Sequence, residues 1–176
     1  ARYGYIAPIK SIGHGATTAK DMESDEEVWR TILDLTQEIG YKLKKNHLAA
    51  RGIQINVRDK NFFSCQYQMK LEYITQSTLF LAQAAKLLFF KKHRFTTPLR
   101  SITVRAIDLV PEDTPQQLNL FAGYDKQDDI VRLESAVDRL RERFGNKIVV
   151  PASLMGKSCR PTLSTDFPKM PAPMYH

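Results

Sequence analysis

The sequence predicts an α+β fold: a four-stranded antiparallel sheet with two helices on one face, in the order strand, helix, strand, strand, helix, strand. Residues 51–59, 63–71 and 99–109 alternate apolar and polar side chains, as half-buried strands do. Two segments between them have helical periodicity. The chain has 176 residues, of which 43% are hydrophobic, enough for one ordinary core with appendages.

The first strand and helix are predicted before residue 46. Residues 9–20 are rich in Gly and Thr, and Gly13 and Gly15 indicate a strand that another group approaches closely. Ser24 to Glu27 form a capping-box pattern, so a helix should follow and end near residues 44–46. Its apolar face is Val28, Ile32, Leu35, Ile39 and Leu43.

The next two segments predict a hairpin with a turn at residues 60–61. In the first, Ile53, Ile55 and Val57 share one face. In the second, the apolar face is Phe63, Cys65, Tyr67, Met69 and Leu71.

Ser77 or Thr78 should cap a second helix that runs to about residue 90. Its predicted apolar face is Leu81, Ala84, Leu87 and Leu88, and we interpret the basic residues 91–94 as the helix end. The last strand points Ile102, Val104 and Ala106 inward and then switches to Ile107 and Leu109, which indicates a bulge or bend.

A third helix is predicted over residues 127–144, with an apolar face of Leu133, Val137, Leu140 and Phe144 and with Gly145 as its stop. Residues 148–150 resemble a short strand, and a proline-rich tail follows. The predicted organisation is a leader (1–8), the main domain (9–110), a loop (111–124), the helix with a short extension (125–150) and the tail (151–176).

The composition argues against an active site in this chain. The four histidines lie far apart, and the two cysteines, Cys65 and Cys159, have no metal-ligand spacing, so we expect no metal, no cofactor and a reducing cytoplasm. No run approaches the roughly 18 apolar residues of a membrane span. The net charge is +7, and residues 10–109 hold 16 Lys and Arg against 10 Asp and Glu, a net of +6. That excess favours a polyanionic partner.

The face of the predicted sheet opposite the helices is polar and poor in acids. Hydroxyls, amides and cations all donate to phosphate oxygens, so this surface is either a phosphate-binding face or an ordinary solvated one. Its members are Gln54, Asn56, Arg58, Ser64, Gln66, Gln68, Lys70, Thr103 and Arg105.

The loop contains a five-residue segment typical of a captured linear peptide: Gln117, Leu118, Asn119, Leu120 and Phe121. The glutamine amide offers a donor and an acceptor, and Leu120 and Phe121 offer adjacent apolar anchors. The alternative is that these apolar side chains pack on the domain's own core.

Residues 8–18, Pro-Ile-Lys-Ser-Ile-Gly-His-Gly-Ala-Thr-Thr, resemble the segment that opens the little finger of Y-family (UmuC/DinB-like, lesion-bypass) DNA polymerases. Arg51-Gly52, Arg58 followed by Asn61-Phe62, Pro98-Leu99-Arg100, the segment 117–121 and the helix 136–145 appear in the order expected for that family. The resemblance covers roughly residues 8–150.

The resemblance implies a C-terminal fragment of a bacterial translesion polymerase, a nucleotidyltransferase of DNA repair and the SOS response. It implies that the catalytic carboxylates and their magnesium ions lie in a palm domain outside this chain, so the fragment has no catalytic residue. It implies a grip on the template–primer duplex and a tether to the β sliding clamp through residues 117–121, with no membrane and no small-molecule substrate. The implied DNA-binding residues are Lys10, Ser11, Thr17, Arg58, Ser64, Gln66, Lys70 and Arg105.

The hairpin departs from the family pattern at Gln66 and Gln68, where relatives often carry Arg or Ser. Two other functions stay open: a non-catalytic adaptor that binds the clamp or other proteins with little DNA affinity, and an independent enzyme that uses the Gly13–Gly15 loop.

Overall fold

The computed structural model describes residues 9–94, 96–115, 124–145 and 148–155. In these ranges the chain forms β1 (Ser11–Met22), α1 (Asp25–Lys45), β2 (Leu48–Asp59), β3 (Ser64–Thr75), α2 (Thr78–Lys92), β4 (Leu99–Pro111) and α3 (Tyr124–Phe144). A short 3₁₀ helix, Ala152–Leu154, follows. The predicted order of strands and helices is confirmed.

The four strands form one antiparallel sheet in the order β1-β4-β2-β3. Helices α1 and α2 pack on one face and enclose the hydrophobic core, in which Ile53, Ile55, Ile102 and Val104 meet Leu35 and Phe89, among others. The last strand in the sequence is therefore central, and β1 and β3 are the two edges.

Helix α1 begins as its sequence predicts. Ser24 caps it, with the Ser24 side chain accepting from the Glu27 amide and the Glu27 carboxylate accepting from the Ser24 amide. All five residues of its predicted apolar face are buried. The capping box satisfies amides that the first helical turn would otherwise leave without acceptors.

Helix α2 buries a different side from the one that the sequence predicts. Its buried residues include Leu81, Ala85, Leu88 and Phe89, whereas Leu87 is 58% exposed. The apolar residues of α2 are distributed around its whole circumference, so its sequence has no single apolar stripe that identifies the buried face.

Three other predictions are wrong. Phe63 does not join the core face of the hairpin; it lies in the turn, exposed, before β3 begins at Ser64. Ile107 does not turn inward either: it lies over Gly52 on the opposite face, and only Leu109 packs on the core. The bend itself is present, because Asp108 has a left-handed φ of 52°. Residues 148–150 form bends rather than a strand.

Candidate nucleic-acid interface

We call the sheet face opposite α1 and α2 the open face. Four rows of paired residues run across it, one residue from each strand. Side chains on it are exposed at Gln66, Lys70 and Arg105. From β1 through β4 and β2 to β3, the rows are Ser11–Ile107–Gly52–Lys70, Gly13–Arg105–Gln54–Gln68, Gly15–Thr103–Asn56–Gln66 and Thr17–Ser101–Arg58–Ser64.

The open face carries positive charge and no negative charge within these rows. Lys70, Arg105 and Arg58 are its cations, and none of the other residues in the four rows is a carboxylate. Strand and residue spacings give this face a width of about 15 Å and a length of about 20 Å. The remaining polar groups are hydroxyls and amides, which can donate hydrogen bonds to phosphate oxygens.

Arg105 lies flat across the middle of the open face. A Cβ built on Gly13 would lie 3.2 Å from the Arg105 Nε, so the glycine leaves the space in which the arginine stem rests. The guanidinium donates to Gln54 Oε1 (3.3 Å), and Gln54 Nε2 donates to Gln68 Oε1 (3.4 Å). This chain of contacts links three strands and holds the cation at the surface.

Arg58 occupies the row nearest the β2–β3 turn. Its Nε is buried without a hydrogen-bond partner among the described residues, and its Cζ lies 5.8 Å from the centroid of the Phe62 ring. In the same row, Ser64 Oγ donates to Asn56 Oδ1 at 3.3 Å. Because Nε is buried, only the terminal Nη groups of Arg58 can donate to a ligand at this end of the face.

Seven of the eight predicted DNA-binding residues lie on the open face: Ser11, Thr17, Arg58, Ser64, Gln66, Lys70 and Arg105. Lys10 is exposed but precedes β1, and its position in the alternation is that of buried Ile12 rather than of Ser11. Whether these side chains contact DNA stays a prediction. Sequence reasoning missed the contact of Phe62 with Arg58, for which the signal was the paired phenylalanines at the turn.

The predicted clamp-binding residues, Gln117, Leu118, Asn119, Leu120 and Phe121, lie outside the described residues. The structure does describe both flanks of this segment. On the β4 side, the Glu112 amide donates to the His47 carbonyl oxygen (3.0 Å), and Glu112 Oε1 lies 2.8 Å from His47 Nδ1. The other flank is α3.

Polar contacts attach α3 to the two core helices. The Glu134 carboxylate accepts from Ser77 Oγ (2.9 Å) and from the amides of Thr78 (3.2 Å) and Leu79 (3.0 Å), which form the N-terminus of α2. Lys44 of α1 forms ion pairs with Glu134 (3.1 Å) and Asp138 (2.6 Å). A carboxylate is favourable at a helix N-terminus because the amides and the helix dipole are positive there.

Three of the four residues on the predicted apolar face of α3 stay at the surface, whereas the fourth, Val137, is half-buried. Leu133 is 64%, Leu140 44% and Phe144 57% exposed, although the sequence predicts that they share the apolar face of α3. Arg141 completes the polar attachment, donating to Gln37 Oε1 and to the Val149 carbonyl oxygen, each at 2.9 Å.

Two side chains on the helix side of the sheet have shifted pKa values. Burial raises the pKa of Tyr67, with a further contribution from Cys65. Burial lowers the pKa of His93, against the opposing effect of the Asp59 charge. The Tyr67 hydroxyl lies 3.4 Å from His93 Nδ1. This pair lies under α2, away from the open face.

Neither a metal site nor a membrane helix is found where the chain is described. Those residues contain no cluster of three or more His, Cys, Asp or Glu side chains that could hold a metal ion. Within the same residues, no helix combines the length and the apolar character needed to cross a bilayer.

Comparison with known proteins gives one family match and several relatives. The sequence model described as the impB/mucB/samB family C-terminal domain matches residues 9–120. A DNA polymerase IV of Acetivibrio thermocellus is 36% identical over 138 residues, covering 78% of this chain and 35% of that protein. A DNA polymerase IV 2 of Bacillus subtilis is 28% identical over 148 residues, covering 82% of this chain and 35% of that protein.

A solved complex of a β-clamp processivity factor with the little finger domain of PolIV covers 64% of this chain and 99% of that chain, with a TM-score of 0.48 and 18% identity. The chain spans about a third of the length of its polymerase relatives. The family match extends over more than half of the 176 residues and includes the whole four-stranded sheet. The chain therefore belongs to the impB/mucB/samB family, of which it contains the C-terminal domain.

Proposed function

We propose that this chain is the little finger domain of a Y-family translesion DNA polymerase and that its open face binds the template–primer duplex. The observation that carries the proposal is the composition of that face, which has three cations, many hydroxyl and amide donors and no carboxylate in its four rows. Phosphate is the group on DNA that such a surface recognises.

The dimensions of the open face suit a short stretch of duplex. A length of about 20 Å corresponds to about six base pairs at 3.4 Å per pair. Contacts from Lys70, Arg105 and Arg58 to phosphates carry no sequence information, because phosphates are the same at every base pair. A bypass polymerase must accept any template, so this type of contact fits the role.

The parent protein, in this proposal, is a DNA-directed DNA polymerase. Support comes from relatives that are DNA polymerases IV and about three times as long as this chain. The magnesium-binding carboxylates of catalysis would belong to the remaining part of the polymerase, and this domain alone would not be an enzyme. Its place of action would be the cytoplasm, with the bacterial chromosome.

The clamp tether is the second part of the proposal and rests on the sequence of residues 117–121. The attachments of the two flanks support it. Glu112 is bonded to His47 on one side, and Glu134 is bonded to the α2 N-terminus on the other. A recognition peptide held at both ends loses less conformational entropy on binding than one on a free tail.

The experiment that tests duplex binding is a fluorescence anisotropy titration of this chain with a labelled template–primer duplex at 50 and 200 mM salt. The variants are Arg105→Gln on the open face and Arg94→Gln, an exposed arginine beyond the end of α2. Both substitutions remove one positive charge, so they differ only in position.

We expect Arg105→Gln to weaken binding and to reduce the slope of log affinity against log salt by about 1, as the loss of one phosphate contact would. Arg94→Gln should leave the slope unchanged. Binding that does not weaken with salt would refute a phosphate contact. If the wild-type chain binds a sliding clamp but no DNA at either salt concentration, the adaptor function replaces this proposal.

A further inference from the structure

The β2–β3 turn presents a phenylalanine in a rare backbone conformation. Phe62 has a φ of 66° and is 71% exposed. A bulky side chain in the left-handed region is an outlier, and such strain is concentrated at functional sites. Gly or Asn would adopt this left-handed φ at a lower conformational cost than Phe.

Asp59 fixes the conformation of the turn. Its Oδ1 accepts from the amides of Asn61 (2.8 Å) and Phe63 (2.9 Å), and its Oδ2 accepts from Thr97 Oγ1 (3.2 Å). The Phe62 amide donates to the Asp59 carbonyl oxygen at 3.1 Å. The position of the Phe62 ring is therefore determined by a bonded turn and not by a loose loop.

The two neighbouring phenylalanines differ in their relation to the open face. Phe62 contacts Arg58, a residue of the open face, with 5.8 Å between the ring centroid and the guanidinium carbon. Phe63 is equally exposed, at 72%, but it directly precedes Ser64 of the open face and so shares its alternation with Cys65 on the helix side. Only Phe62 extends the open face.

The charge around Phe62 suits nucleic acid. Arg58 brings a positive charge to the last row of the open face, and the neighbouring Lys60 is exposed. The one acid of the turn, Asp59, already accepts hydrogen bonds from three groups of the protein. A ring beside two cations is the arrangement with which proteins hold single-stranded nucleic acid, stacking a base while binding its phosphate.

We propose that Phe62 stacks on an unpaired base of the DNA strand that leaves the end of the open face, with Arg58 donating to the adjacent phosphate. This inference rests on the proposed duplex binding by the open face. The base must be unpaired, because bases inside a duplex already stack on their neighbours and expose no ring face to a protein surface. The row that contains Arg58 is the last of the four, so Phe62 lies where a bound duplex would end.

The test compares two probes and two matched variants of this chain. One probe is a blunt duplex, and the other is the same duplex with a single-stranded extension that contains 2-aminopurine, whose fluorescence is quenched by stacking. The variants are Phe62→Asn and Phe63→Asn. Asparagine tolerates a left-handed φ, so Phe62→Asn removes the ring without adding strain, and thermal unfolding checks that both variants are folded.

We expect Phe62→Asn to lose about tenfold in affinity for the extended duplex, the effect of one lost base–aromatic stack. Its affinity for the blunt duplex should not change, and the 2-aminopurine signal of the complex should shift. Phe63→Asn should bind both probes as the wild type does.

Two results would overturn the inference while leaving duplex binding intact. One is that Phe62→Asn keeps the wild-type affinity for the extended duplex, as it would if the ring contacts the rest of the polymerase. The other is that Phe63→Asn loses as much affinity as Phe62→Asn. If the wild-type chain binds neither probe, the proposed function itself fails, and this inference fails with it.

Discussion

His93 is the C-cap residue of α2, and its ring packs against Phe89 and Tyr67 on the helix side of the sheet. Burial there disfavours the charged imidazolium, which lowers the pKa of His93, and the nearby Asp59 charge opposes this only in part. The neutral ring is thus the form that the fold accommodates.

The stability of the domain should therefore fall as the pH drops below 6.5, the ordinary pKa of histidine. In that range the unfolded chain binds the proton more readily than the folded chain, so protonation favours unfolding. Above 6.5 both states are neutral at this position, and the effect is absent. Urea denaturation of the wild type and of His93→Gln from pH 8 to pH 5 measures it.

The difference in unfolding free energy between the two proteins should change with pH, because the variant lacks the titrating ring. Carboxylates titrate in both proteins and cancel in the comparison. A difference that stays constant from pH 8 to pH 5 would contradict the prediction.

For single residues, the sequence predicts which side chains alternate between the two faces of a strand better than it predicts where that alternation ends. Ile102, Val104 and Ala106 are buried as predicted, because the side chains of a regular strand must alternate between its faces. The two wrong predictions lie where the regular strand ends or is interrupted: Phe63 is exposed in the turn held by Asp59, and Ile107 keeps the alternation, which changes only after the left-handed Asp108. The Asp59 bonds are local, reaching Asn61 and Phe63, but a pattern of apolar and polar residues carries no information about turn geometry or a left-handed φ.

Helix α3 is attached to the core helices by charged side chains together with half-buried Val137, and not by the whole of its predicted apolar face. Glu134, Asp138 and Arg141 are spaced by four and three residues, so they share one face, and this face meets α1 and the start of α2. The apolar residues that the sequence favours as the contact lie one position earlier in each turn. A prediction from hydrophobicity alone places the contact on that neighbouring stripe. It misses the hydrogen bonds that Glu134 accepts from the amides at the N-terminus of α2.

Glu134→Ala should lower the free energy of unfolding by about 1–3 kcal/mol, because it removes the acceptor of two amides and a hydroxyl and leaves Lys44 with one ion-pair partner. Urea denaturation measures this loss. Glu142→Ala, on the same helix but exposed, is the control and should change stability little.

Equal effects of the two substitutions would show that α3 does not depend on the Glu134 contacts. A loss of α3 without unfolding of the sheet would appear as a separate, earlier transition in helical circular dichroism, which would also identify α3 as an independent unit.

At the scale of the whole molecule, the domain presents two proposed binding regions that use different parts of the chain. The open face belongs to the sheet, and residues 117–121 lie between β4 and α3. No residue is common to both, so each function should be removable without the other.

Replacing Leu120 and Phe121 by Ala should weaken binding to a sliding clamp by about 2 kcal/mol or more, the loss expected for anchor residues, and should leave duplex affinity unchanged. Leu140→Ala combined with Phe144→Ala removes the same two residue types from the exposed stripe of α3 and is the matched control. Surface plasmon resonance with immobilised clamp measures the first effect.

Loss of folding in the Leu120 and Phe121 variant would show that these side chains belong to the core, contrary to the proposal. Equal loss of clamp binding in the control variant would indicate that the clamp contacts α3.

The global fold was predictable because the strands and α1 carry clear periodicity, because Ser77 marks the start of α2, and because β2 and β3 are joined by a short turn. The neighbours of β4 were not predictable in the same way. Its pairing with β1 joins Ser11 to Ile107, and no local pattern encodes a contact over that separation. Only the requirement that both helices share one face limits the possible orders.

The central position of β4 also has a consequence for how the chain folds during synthesis. The β2–β3 hairpin can form as soon as it leaves the ribosome, but β1 has no partner until Leu99 and the residues after it have been made. Until then the nascent chain exposes the unpaired edges of β1 and β2, to which other chains can add. A polypeptide cut before β4 would therefore be prone to aggregate and would not form a smaller stable domain. When β4 is complete, it pairs with both β1 and β2, which have been synthesised before it.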